Sequence, residues 1–130
     1  TDRRQIKADD FFLGIFETAL ELDEVVVAVR FPIPKRAGYM KFPNPASRYA
    51  IVGVMVAECS DRIRVAVTGA GACVFRMAEM ETALANDFSA DAINGVRCDP
   101  GELNEDIHAS AEYRAHLVGV MAQRAVDAAG

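Results

Sequence analysis

The chain has 130 residues, a net charge of -5 and a sequence pI of about 5.0, with 52% hydrophobic and 25% charged residues. That length suits one domain, and that balance excludes a disordered chain. The acidic charge disfavours nucleic acid, whose binding proteins usually present a basic face, and the longest apolar run, Ala50 to Ala57, is too short to cross a bilayer.

In chain order, Arg3, Arg4 and Lys7 are interleaved with Asp2, Asp9 and Asp10 and read as a solvated start. Ala8 to Gly14 predicts a short helical turn or loop, capped by Asp9 or Asp10 and ended by Gly14. Its Phe11 and Phe12 read as packing anchors. Val25 to Phe31 is a β-branched run stopped by Pro32 and Pro34, which predicts a strand. The Pro32–Gly38 stretch is then an extended connection and the candidate internal boundary. Tyr39 to Phe42 predicts a short strand broken by Pro43-Asn44-Pro45. Ala50 to Glu58 is the longest strand candidate, and Ser60-Asp61 is a tight turn. In Arg62 to Thr68, charged and apolar residues alternate, so Arg62 and Arg64 face water while Ile63, Val65 and Val67 face the core. These strands form an antiparallel meander with one wet face.

The second half changes period. Met77, Met80, Ala83 and Leu84 recur at helical spacing between Met77 and Asn86. Ser89 caps a second short helix through Ile93, ended by Asn94-Gly95. Asp99-Pro100-Gly101 is a loop. Ser110 caps a long helix from Ala111 to Ala129, with a buried stripe of Tyr113, Leu117, Val120, Met121 and Ala125, and with Arg114, Gln123, Arg124 and Asp127 largely outside it. Strands followed by helices, without βαβ alternation, predict an α+β fold: an antiparallel meander of three to four strands, followed by and packed against a three-helix bundle.

Chemistry is sparse at the level of spacing. Gly69-Ala70-Gly71-Ala72-Cys73 lies between a strand and a helix, but Val74 stands where GxGxxG needs its third glycine and no GK[ST] follows, so it reads as a glycine-rich strand end. His108 and His116 lack ligand-spaced partners and read as a loop and an exposed helix histidine. Glu79 and Glu81 flank Met80 on different helix faces and do not form a proton-sharing pair. Ser47 and Ser110 suit turn and cap roles. Cys59, Cys73 and Cys98 have no CxxC spacing; the first two read as small core hydrophobes, and three unpaired thiols with no signal peptide predict a cytoplasmic protein. No catalytic constellation and no metal site follow from spacing.

Three stretches in register carry a resemblance. They are Asp10-Phe11-Phe12-Leu13-Gly14 with Thr18-Ala19-Leu20 and Asp23-Glu24-Val25-Val26; Gly38-Tyr39-Met40-Lys41-Phe42-Pro43-Asn44-Pro45-Ala46-Ser47-Arg48-Tyr49-Ala50; and Ser110-Ala111-Glu112-Tyr113-Arg114 with Val120-Met121 and Arg124-Ala125-Val126. Together they resemble the C-terminal part of the FAD-binding medium subunit of molybdenum hydroxylases, the second stretch most like the carbon monoxide dehydrogenase branch. The resemblance covers nearly the whole chain. It implies that residues 1–34 are the tail of the FAD-binding domain and that residues 35–130 are a C-terminal domain covering the isoalloxazine side.

By the same resemblance the chain is part of an oxidoreductase and not active alone. Electrons pass from a molybdenum cofactor through iron–sulfur clusters to FAD and on to an acceptor. The partners implied are the rest of the FAD subunit, a molybdenum-binding large subunit and an iron–sulfur small subunit. The family's glycine-rich pyrophosphate segments have no counterpart here, so FAD belongs to the intact subunit. Tyr39 matches an aromatic position against the flavin ring, Lys41 a lysine that approaches it, and Val26 an apolar contact on the preceding strand. An aromatic ring shields one flavin face, a cation favours reduced anionic flavin, and an apolar residue excludes water. The competing reading, from a different class, is a stand-alone interaction or scaffold module on the same fold.

Overall fold

The computed structural model describes residues 2–130. Two short strands, β1 (Phe12–Gly14) and β2 (Glu17–Thr18), form a hairpin of their own, with Phe16 held at positive φ in its turn. A 3-10 turn, Ala8–Asp10, precedes it, where the sequence predicts a helical turn. The main sheet is antiparallel, in the order β3 (Arg36–Pro43), β4 (Ala50–Glu58), β5 (Ile63–Thr68), β6 (Phe75–Arg76). Two α-helices follow, α1 (Ala78–Asn86) and α2 (Ala111–Ala128). The fold is therefore α+β, with the predicted meander in place.

Alternation sorts the sheet into two faces. Val52, Val54 and Val56 of β4 and Val65 and Val67 of β5 are fully buried, with Ile63 beside them. On this face α2 packs against β3 and β4, and α1 packs against β5. Met80, Leu84, Leu117, Val118, Met121 and Ala125 complete the core. The approach of α2 is close enough to require a glycine: a Cβ on Gly38 would overlap the carbonyl oxygen of Ala125.

Several expectations fail. The three-helix bundle is two α-helices with 3-10 turns between them, Asp91–Ile93 and Pro100–Glu102. Ser89 does accept from the Ala92 N–H at 3.2 Å, but Asn94 and Gly95 end the segment before an α-helical ladder can propagate. Val25 to Phe31 forms no strand; it is irregular, unpaired and exposed, because no neighbouring strand lies alongside it among the described residues. Arg114 is buried, 3% exposed, not outside the helical stripe. It stands one turn after the Ser110 cap on the same face as Leu117, Val118 and Met121, and its guanidinium reaches carbonyl groups at the sheet end. Tyr113 and Val120 lie at the margin of that face, Tyr113 edge-on to Phe42 with ring centroids 6.2 Å apart. Cys59, Cys73 and Cys98 are free and half-buried, so none is a fully buried core residue.

Candidate functional site

The face of the main sheet opposite the helices is open. Register places Tyr39 opposite Met55, and Lys41 opposite Gly53, which in turn faces Thr68 on β5. Tyr39 and Lys41 share this face by strand alternation, as their spacing requires. Tyr39 is 49% exposed and Met55 is exposed beside it. Lys41 is exposed, and its Nζ donates to the Arg48 carbonyl at 3.1 Å.

That carbonyl is aimed by a strained turn. Asn44 Oδ1 accepts the N–H groups of Ala46 at 2.9 Å and Ser47 at 3.2 Å, and Asn44 N–H donates to the Tyr49 carbonyl at 2.7 Å. The loop closes with Arg48 at φ 65°, a left-handed conformation unusual for a residue with a side chain.

The third predicted site residue, Val26, is elsewhere. It is 54% exposed in the irregular segment before β3, with no strand pairing to either Tyr39 or Lys41. The structure thus brings two of the three together. It also adds Gly53, Thr68 and Arg48, which the sequence reading passed over. A glycine inside a β-branched strand was the available signal, since it marks close approach of another group.

Two other charged sites are structural. Glu81 on α1 accepts the Val65 N–H at 3.0 Å and bonds the Arg76 guanidinium, with Arg64 3.7 Å away. Burial pushes its carboxyl up, but Arg76, the Val65 N–H and Arg64 outweigh that and hold it below the ordinary range. β6 is only two residues long, so this carboxylate satisfies a β5 donor that no strand reaches. Arg114 donates to the carbonyls of Ile51 at 2.7 Å and Gly69 at 3.2 Å and to Asp106 at 2.7 Å. It stands beside a cleft of about 230 Å³ that Asn44, Tyr49, Asn104 and His108 also line.

The glycine-rich segment is likewise committed to the fold: Asn104 Nδ2 donates to the Gly71 carbonyl at 2.9 Å and Asn104 N–H to the Ala70 carbonyl at 2.8 Å. His108 and His116 are exposed, as expected of a loop and a helix surface. Among the described residues no three His, Cys, Asp or Glu side chains converge as a metal site, and no helix is long and apolar enough to cross a membrane.

No family model matches the chain. It is 34% identical over 138 residues to the nicotine 6-hydroxylase medium subunit of Paenarthrobacter nicotinovorans, covering 98% of this chain and 49% of that one. It is 30% identical over 143 residues to the carbon monoxide dehydrogenase medium chain of Hydrogenophaga pseudoflava, covering 98% and 48%. Its fold matches a chain of reconstituted CO dehydrogenase from Oligotropha carboxidovorans with a TM-score of 0.79, at 23% identity, over 97% of this chain and 48% of that one. A cyanide-inactivated Cu,Mo-CO dehydrogenase matches with a TM-score of 0.71 at 25% identity, over 97% and 48%. The chain spans about half the length of the curated relatives it matches. On this agreement of sequence and fold, the chain is a homologue of about half of the medium subunits of nicotine 6-hydroxylase and carbon monoxide dehydrogenase.

Proposed function

We propose that this chain is the flavin-covering C-terminal part of the FAD-bearing medium subunit of a molybdenum-containing oxidoreductase. In this reading residues 1–34 are the end of the FAD-binding domain and residues 35–130 the covering domain. The partners are the rest of that subunit, a molybdenum-binding large subunit and an iron–sulfur small subunit, assembled in the cytoplasm. When bound, FAD supplies the electron-accepting centre between the iron–sulfur clusters and an external acceptor.

The observation that carries the reading is the division of the molecule's apolar surface. One sheet face is closed by α1 and α2, whereas the other keeps an exposed aromatic ring, a cation and Met55 together. The residues fit a planar apolar ring with a negative edge. Tyr39 offers aromatic area and Lys41 a positive charge two residues along the same strand, while Val26, exposed in the segment before β3, joins them only in the resemblance. They do not supply a pyrophosphate cradle: Val74 stands where the phosphate loop needs its third glycine, and the carbonyls of Ala70 and Gly71 are tied to the N–H and the Nδ2 of Asn104. Anchoring therefore falls to the rest of the subunit, while this part orients the ring, shields it from water and holds a cation near it.

The test is a medium subunit carrying FAD, with Tyr39→Leu and Lys41→Met made singly. Tyr39→Leu raises flavin fluorescence by removing a stacking neighbour, and Lys41→Met lowers the flavin reduction potential by removing a cation. Unchanged spectrum and potential in both variants defeat the reading.

A further inference from the structure

Gly53 stands in the middle of β4 on the open face of the sheet, yet it is buried. Tyr39 is what covers it. A Cβ built on Gly53 would lie 2.5 Å from the Tyr39 hydroxyl oxygen, 3.2 Å from the ring carbon bearing it and 2.8 Å from Thr68 Oγ1. Tyr39 pairs directly with Met55, so Gly53 is its diagonal neighbour, two residues away along β4. Diagonal neighbours about 7–8 Å apart are within reach of an aromatic side chain. The Tyr39 ring therefore runs along the sheet instead of standing away from it. Thr68 is fixed on the far side, its hydroxyl oxygen 3.5 Å from the Gly53 carbonyl oxygen to which it donates.

We infer that Gly53 is a positioning residue. The space left by its missing Cβ is the seat of the Tyr39 phenol, and Thr68 walls that seat on the β5 side. The seat lays the long axis of the ring along the open face, the attitude in which it presents area to a planar group. For the identity of that group this rests on the flavin reading above; the seat itself rests on geometry alone. Glycine is required for a steric reason and not a conformational one, since Gly53 has no positive φ. An added side chain meets the Thr68 hydroxyl and the far end of Tyr39, and of the two it is the flexible Tyr39 side chain that can swing away at little cost to the fold. The ring is then displaced while the sheet persists, which separates positioning from stability.

Nuclear Overhauser contacts in the labelled chain test the seat. We expect contacts from the Tyr39 ring protons to the Gly53 α protons and to the Thr68 methyl group. We also expect an upfield shift of one Gly53 α proton that is lost in Tyr39→Leu. In Gly53→Ala the Tyr39–Thr68 contacts disappear while cross-strand contacts between β3 and β4 remain. Absence of the contacts in the parent chain, or their survival in Gly53→Ala, overturns the proposal; if that variant does not fold, the parent and Tyr39→Leu spectra decide alone. In the FAD-carrying subunit, fluorescence unaltered by Tyr39→Leu together with a potential unaltered by Lys41→Met defeats the flavin reading and leaves the seat standing. Fluorescence altered by Tyr39→Leu but not by Gly53→Ala overturns the positioning role.

Discussion

Val25 to Phe31 and Ala50 to Glu58 have nearly the same chemistry and opposite fates. Both are rich in β-branched residues, and either alone reads as a strand. In the second, Val52, Val54 and Val56 are 0% exposed, with β3 and β5 hydrogen-bonded on either side and α2 across one face. In the first, Val25, Val27 and Val29 are each at least 67% exposed and no strand lies alongside. The difference teaches that β propensity is a fitness for neighbours. β4 has its partners within a few residues through short turns, whereas residues 25–31 have none among the described residues.

Substitutions on the two sides of this divide sharpen it. The largest loss belongs to Leu117→Ala, which empties a buried position under the sheet and costs about 2–5 kcal/mol; a urea midpoint equal to that of the parent chain would place the core elsewhere. Val54→Ala comes next, at about 1.5–3 kcal/mol, while Val26→Ala changes stability by less than about 0.5 kcal/mol. Matching midpoints for that pair break the comparison outright.

Acid probes the same divide through charge. The Glu81 carboxyl is held below its ordinary value of 4.5 in the fold, so the unfolded chain binds more protons in that range. Its contribution is full above 4.5 and is lost as pH falls through the lowered folded value. Glu81→Gln should therefore flatten the acid limb of stability against pH, and a parallel curve would rule out its role at the β5 edge. The smallest effect is Arg124→Ala, on the exposed side of α2, at about 0.5 kcal/mol or less by the same melts.

Period and breakers made β4, β5, α1 and α2 legible, since each repeats its pattern long enough to outvote its neighbours. Ser110 capped α2 as read, accepting the Tyr113 N–H at 3.2 Å. The misread elements are those whose fate lies outside the local window. Residues 25–31 needed a partner that sequence does not display, and Asp91–Ile93 was too short for a second helical turn. Arg114 looked solvated by residue type, but its charge is matched by Asp106 and by two carbonyls far away in sequence. Tyr39 and Lys41 were legible as a pair on one strand face. Gly53 was not, because its importance lies in an atom it lacks.

Arg114 also bears on how the chain reaches this state. Its guanidinium joins α2 to carbonyls 63 and 45 residues earlier, at Ile51 and Gly69. Contacts that close such long loops are costly in entropy until the intervening sheet exists. The sheet can pair through turns of a few residues before α2 docks, so this bond is expected to form late. Interactions absent from the folding transition state act chiefly on the unfolding rate. Truncating Arg114 should therefore speed unfolding more than it slows folding, a split that stopped-flow kinetics would read directly.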